Sequence, residues 1–278
     1  MAIKSYLNGI NGLISGEGFE EKEIYALYGE ANVGKTSYLI GEVVNLMNNG
    51  YRVAWIDTEG GFNGVWGQWY NIYKKRMNAT FDLEKQFIYK RVIGVEDFCK
   101  YMGIDMSVEY GDNKVSVTMT TSSKKAKDAT EDTLINKYGK LRGKVAVIVD
   151  SFSAPIKLEF SSAVQNFSGR ADAESIMMLS LFKFMEKTSA FTILTSHESR
   201  NPTDVYHPNG VMRGGATLKY FSKHILYYQK PQKKAWSNFR KVTAVRTPIA
   251  ADWSRFAWFK IDDEGYHDET AETVESTL

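Results

Sequence analysis

Gly29-Glu30-Ala31-Asn32-Val33-Gly34-Lys35-Thr36 is the stretch from which the rest of the chain can be read. It fits G-x-x-x-x-G-K-[ST], the phosphate-binding loop. The flanks carry the context that the motif needs. Ile24-Tyr25-Ala26-Leu27-Tyr28 predicts a buried strand, and residues 36–47 predict a helix with Leu39, Val43, Leu46 and Met47 on one face. Successive backbone N–H groups and the positive end of that helix then cradle phosphate oxygens. The expected nucleotide-binding set is Gly29, Glu30, Ala31, Asn32, Val33, Gly34, Lys35, Thr36 and Ser37. Lys35 is placed to reach the β and γ phosphates of ATP, and the Thr36 hydroxyl to hold Mg²⁺. A chance Gly-rich turn before an ordinary helix explains the letters less well, because strand, loop and helix occur in the required order.

The 278 residues suffice for one large α/β domain. Hydrophobic residues make up 43% and charged residues 24%, the balance of an ordinary globular chain. No window reaches the apolar length of a membrane span, and residues 1–18 lack the basic-then-apolar pattern of a signal peptide. The lone Cys99 excludes an internal disulfide and a cysteine zinc cage, and suits a small core residue. These features point to the cytoplasm. Charge is unevenly spread. Residues 262–278 hold seven acids and no Lys or Arg, which leaves +9 on residues 1–261 of a chain whose net charge is +2. A basic body with an acidic tail suggests a polyanionic partner, against the plainer reading of a solvated end.

The pattern along the chain divides it into a short lead-in at 1–23, a core at 24–261 and the acidic tail at 262–278. Within the core, 51–57 and 86–92 predict strands, and 96–102 a short helix; 61–79 is aromatic and predicts helix after Gly67. Residues 106–119 alternate around Gly111-Asp112-Asn113, the signature of a β-hairpin, and a polar stretch with Lys124, Lys125 and Lys127 follows. Hairpin and polar stretch together form an expected insertion at about 104–132. A helix near 133–138, strands at 144–150 and 190–195, and a helix at 173–187 come next. A long loop is expected at 198–217, then strands at 224–230, 240–246 and 256–261. Strands alternating with helices predict a mostly parallel, twisted α/β sheet.

Hydrolysis needs more than a phosphate loop. It needs a carboxylate for the metal and a group to position water. Asp150 ends the apolar run Lys144-Val145-Ala146-Val147-Ile148-Val149 and fits the Walker B role, since ligands of open α/β sheets bind at such strand ends. Asp57 and Glu59 follow the second strand in Ile56-Asp57-Thr58-Glu59-Gly60-Gly61-Phe62, and either is a candidate base. Each alone is weak, because Asp after a strand is often a turn former.

With these residues in view, the sequence resembles the catalytic core of the RecA/RadA recombinase family, in particular its single-domain RadB-like and viral members. The resemblance runs from about residue 7 to 268, apart from the insertion. It rests on Tyr28-Gly29-Glu30 with Gly34-Lys35-Thr36, on Ile56-Asp57-Thr58-Glu59-Gly60, Val149-Asp150-Ser151, Gly169-Arg170, Leu194-Thr195-Ser196-His197 and Gly214-Gly215, and on Phe259-Lys260-Ile261-Asp262-Asp263-Glu264-Gly265. It implies a RecA-type P-loop NTPase core. Lys35, Glu59 and His197 are the catalytic candidates; Thr36 and Asp150 are the Mg²⁺ candidates. Glu59 matches the glutamate that activates the attacking water. Gly169-Arg170 matches the first DNA-binding loop, and 198–217 the second, with Arg200, Arg213 and Lys219 as basic candidates. The plain reading of those basic residues is ordinary surface charge.

Several positions depart from the family pattern. Asn32-Val33 replaces Gly-Ser, which the loop tolerates because Asn adopts left-handed angles. His197 stands where a γ-phosphate-sensing Gln is usual. Asn63 replaces an adenine-stacking Arg, for which Trp66 or Trp69 could substitute. Phe160-Ser161-Ser162-Ala163 matches a polymerisation motif by letter but lies after Walker B, and is taken as chance. The implied function is a Mg²⁺-dependent ATPase that binds DNA, single-stranded by preference, in recombination, repair or replication. The implied partners are single-stranded DNA, further copies of the chain in a ring or filament with ATP between subunits, and recombination or replication proteins. Lys230, Arg246 and Thr247-Pro248 are candidates for acting across such an interface. Rival readings are a regulatory ATPase of this fold that binds a protein, and a small-molecule kinase.

Overall fold

The computed structural model describes residues 2–104, 106–110, 115–119, 132–160, 167–199, 210–232 and 236–276. Helix α1 (Asn8–Leu13) leads into β1 (Ile24–Gly29), the phosphate loop and α2 (Lys35–Asn48). Then come β2 (Arg52–Asp57), α3 (Phe62–Arg76), α4 (Leu83–Gln86), β3 (Phe87–Arg91) and α5 (Val95–Tyr101). The hairpin β4 (Met106–Tyr110) and β5 (Val115–Met119) is followed by α6 (Leu134–Tyr138), β6 (Val145–Asp150), α7 (Ser153–Phe160) and α8 (Phe167–Thr188). The chain continues through β7 (Phe191–Ser199), β8 (Val211–Met212), α9 (Gly215–Phe221), β9 (His224–Gln229), β10 (Phe239–Arg246), β11 (Arg255–Asp262), β12 (Gly265–Glu269) and α10 (Ala271–Glu275).

The main sheet runs β12-β11-β10-β9-β1-β7-β6-β2-β3. From β9 to β3 every neighbouring pair is parallel; β9 to β12 form an antiparallel extension. The expected mostly parallel α/β sheet is therefore present. Every residue of β1 and β6 is buried. Their side chains alternate between two cores, with Ile24, Ala26 and Tyr28 in one and Tyr25 and Leu27 in the other. Continuous apolar runs are what a parallel strand covered on both faces requires. One core lies under α5, α7 and α8, and the other under α1, α2 and α3. Cys99 is buried in the first, and burial pushes its thiol up to about 12. No helix among the described residues is long and apolar enough to cross a membrane.

The structure extends the pattern reading at some points and departs from it at others, among them α3, which starts at Phe62 and not after Gly67. The expected hairpin pairs Met106 with Met119, but its turn and residues 120–131 lie outside the described residues. Helix α8 starts at Phe167, so Gly169 and Arg170 sit in a helix and not in a loop. Strand β7 runs on through His197 to Ser199, because β8 pairs with its end: Glu198 with Met212 and Ser199 with Val211. Finally, the segment expected as an acidic tail is built into the fold as far as Glu275. Asp262 ends β11, β12 pairs with it, and Tyr266 and Val274 are buried. The Asp268 carboxylate accepts the backbone N–H groups of Asn8 and Gly9, at 2.9 and 2.7 Å, at the start of α1. Seven acids without a Lys do not by themselves make a loose end when apolar residues alternate among them.

Candidate nucleotide site

The C-terminal edge of the sheet collects the candidate residues. Gly29 at the end of β1 is the register partner of His197 on β7, and Asp57 on β2 that of Asp150 on β6. The phosphate loop then turns on two left-handed residues, Asn32 at φ 59° and Gly34 at φ 101°. Gly34 caps α2, and a Cβ there would lie 2.2 Å from the Tyr266 hydroxyl, so this position excludes any side chain.

Lys35 is 7% exposed, and its Nζ donates to the carbonyls of Gly29 (3.0 Å) and Glu30 (2.9 Å). Burial lowers its pKa, against the pull of Asp150, Glu59, Glu198 and Glu30. The ammonium is thus folded back on its own loop, where phosphate oxygens would be the stronger, charged acceptors. Thr36 Oγ1 donates to Asp150 Oδ2 at 2.8 Å, and Thr195 Oγ1 to Oδ1 at 2.5 Å. Burial raises the Asp150 pKa against those two bonds. Among the described residues there is no cluster of three His, Cys, Asp or Glu that could hold a metal. Mg²⁺ does not need one here. It keeps several waters and takes substrate phosphate oxygens with one or two protein oxygens, and the adjoining Thr36 hydroxyl and Asp150 carboxylate fit that demand.

The two carboxylates after β2 have separate fates. Asp57 is 2% exposed. Its Oδ1 accepts the N–H groups of Glu59 (3.0 Å) and Gly60 (2.7 Å) and an Arg91 N–H (3.1 Å), while its Oδ2 accepts the Tyr89 hydroxyl (2.9 Å). It is the turn former that shapes the loop, and Glu59 is the carboxylate presented to the site. Glu59 Oε1 accepts the Ser151 hydroxyl and meets His197 Nε2, each at 2.5 Å. Burial works against the Glu59 charge, but the His197 and Ser151 hydrogen bonds outweigh it and hold the pKa low. Both bonds fall on Oε1, so Oε2 is the oxygen left to face a water. The His197 carbonyl accepts the Arg213 N–H at 2.8 Å, and Ser196 Oγ donates to the Arg213 carbonyl at 2.5 Å. The returning limb of the 198–217 segment is therefore fastened to the strand that carries His197.

The basic candidates do not converge. Arg170 pairs with Glu174 one turn along α8, at 3.3 Å. Lys219 lies on α9, where its carbonyl accepts Arg246. Arg200 lies outside the described residues, as do Ser161, Ser162 and Ala163 of the Phe-x-x-Ala match. Trp66 stacks on Phe62, Phe87 and Tyr70, and Trp69 on Tyr73, so both belong to the aromatic packing of α3. Thr247 bonds Ile14 and His224 of its own chain.

Two residues that the sequence reading passed over support the loop from behind. Tyr266 Oη reaches the carbonyls of Val33 (3.3 Å) and Gly34 (3.2 Å), and Arg240 Nε donates to Val33 O at 2.7 Å. No local pattern marks them, since both come from the antiparallel extension.

The fold is similar to that of a solved structure described as the crystal structure of the RadB recombinase. The TM-score is 0.63 at 21% identity, over 96% of this chain and 99% of that one. The chain has a RecA-type fold. No protein-family model and no curated protein sequence matches it, so the RecA-type likeness is one of fold.

Proposed function

We propose that the chain is a Mg²⁺-dependent ATPase of the RecA type that binds DNA, single-stranded by preference, and acts in recombination, repair or replication in the cytoplasm. The observation that carries this reading is the meeting of Lys35 and Thr36 with Asp150, Glu59 and His197 at one sheet edge, from four separate stretches of the chain. Thr36 and Asp150 would hold Mg²⁺, which when bound neutralises charge building on the phosphate oxygens. Lys35 exchanges its two carbonyl partners for β and γ oxygens. Glu59 orients the attacking water through Oε2 and takes its proton. His197 and Ser151 keep the carboxylate aimed by holding Oε1. Further copies of the chain are the expected assembly.

The test is ATP hydrolysis with and without single-stranded DNA, alongside nucleotide binding. Lys35→Ala is expected to abolish binding or turnover. Glu59→Gln is expected to keep ATP binding and lose hydrolysis by about a hundredfold or more, because the amide keeps the shape but accepts no proton. Full turnover in Glu59→Gln would remove Glu59 from the role.

A further inference from the structure

The antiparallel extension carries a cleft that adjoins the nucleotide site at Glu30 and extends away from it. It encloses about 820 Å³ and is lined by Tyr227, Trp236, Trp253 and Trp258 together with Lys230 and Lys241. Half of the chain's six tryptophans thus line one cleft. Trp253 is 43% exposed and the neighbouring Phe256 50%. The rings stand apart in edge arrangements, Trp236 on Trp258 and Tyr227 on Trp253, each with centroids 6.1 Å apart. The Lys241 ammonium sits 4.2 Å from the Phe256 ring centroid and 5.9 Å from that of Trp258. Glu30 of the phosphate loop and Glu198 at the end of β7 line the end that meets the nucleotide site.

The segment that builds the cleft is basic, and two of its cations, Lys230 and Lys241, line the cleft together with Glu30 and Glu198. Residues 223–261 hold nine Lys or Arg and one acid, Asp252, which leaves 26 basic against 32 acidic side chains in the remainder. The basic surplus of the whole chain therefore belongs to this segment. Aromatic faces beside lysines are how unpaired strands are held without reading sequence: bases stack on rings while phosphates meet ammonium groups.

We infer that this cleft is a base-stacking groove for single-stranded nucleic acid, with Trp253 and Trp258 as the stacking faces and Lys230 and Lys241 as phosphate contacts. The inference rests on the single-strand binding proposed above. It moves the main contact from the 198–217 segment to the extension.

The test uses the full chain, an oligothymidylate of about fifteen nucleotides and an abasic strand of equal length and charge. The wild type is expected to bind the oligothymidylate about tenfold or more tightly than the abasic strand. Trp253→Ala is expected to remove most of that preference. Lys241→Gln is expected to weaken both strands and to lower the slope of log affinity against log salt by roughly one. Both variants should melt as the wild type does, and Lys85→Gln, at an exposed lysine of α4 paired only with Asp82, serves as a basic control elsewhere. Variants that bind both strands as the wild type does would overturn the groove and leave single-strand binding standing. A wild type that binds neither strand would overturn single-strand binding and the groove with it. A fall in oligomer mass in Trp253→Ala with unchanged affinity for both strands would make the cleft a contact between copies, and would also overturn the inference.

Discussion

His197 joins the carboxylate Glu59 of the proposed nucleotide site to the returning limb of the 198–217 segment. Its ring touches Glu59, and its carbonyl accepts the N–H of Arg213 on the returning limb. Replacing it with Ala removes the first contact and keeps the second, which is a backbone bond. His197→Ala is expected to retain basal ATP binding and to lose most of any DNA-stimulated hydrolysis. ATP should then no longer strengthen DNA binding, and by linkage DNA should no longer strengthen ATP binding. DNA affinity measured with a non-hydrolysable ATP analogue and without nucleotide gives the ratio that decides it. An unchanged ratio in the variant would shift the coupling to Ser196, whose hydroxyl holds the Arg213 carbonyl. Asp57 makes the opposite point at this scale. It is a carboxylate two residues before Glu59, yet its four acceptor contacts make it a framework group.

At the scale of elements, β12 acts on the phosphate loop from the far side of α2. Its Tyr266 is fully buried, its hydroxyl reaches two loop carbonyls, and its backbone N–H donates to the Tyr73 hydroxyl of α3 at 3.0 Å. Tyr266→Phe keeps the ring and deletes the hydroxyl. A hydrogen bond of this kind contributes about 1 kcal/mol, so nucleotide affinity should fall roughly three- to tenfold with ATP and ADP affected alike. Calorimetric titration of both nucleotides checks this, and a loss confined to ATP would put Tyr266 on the γ-phosphate instead. The same packing means that cutting the chain at Asp268 removes half of β12 and the carboxylate at the start of α1. Such a truncation reports on folding before it reports on charge.

For the whole molecule, the buried Glu42 sets a pH dependence. It lies in the core beneath α2, with Ser5 donating to it at 2.7 Å, Tyr38 at 3.2 Å and Asn45 at 2.7 Å. Burial outweighs those bonds and lifts its pKa from 4.5 to about 7. Below about pH 4.5 folded and unfolded chains both hold the proton. Between there and about 7 the folded chain keeps a proton that the unfolded chain has lost, so stability falls as pH rises across this window and levels off above it. The span corresponds to roughly 3 kcal/mol, or about 5–10 °C in melting temperature. Glu42→Gln is expected to flatten that part of the profile, whatever its effect on absolute stability. Equal slopes for both proteins from pH 5 to 8 would assign the dependence to other groups.

What was legible in the sequence was local. The phosphate loop, the apolar strands on either side of it and the carboxylates that end them are continuous stretches, and their chemistry needs no distant partner to be recognised. The mostly parallel sheet followed from strands that alternate with helices along the chain. What only the tertiary structure decided were matters of register between distant segments. Pairing with β8 carries β7 past His197, and an early start of α8 turns Arg170 towards Glu174. The supports of the phosphate loop, Tyr266 and Arg240, come from strands at the opposite end of the chain. The resemblance favoured Glu59 over Asp57 as the base, and the fold supplied the different surroundings of the two. Two carboxylates a residue apart look alike in a sequence, and they part only when backbone N–H groups, Arg91 and Tyr89 close on one and His197 and Ser151 meet the other.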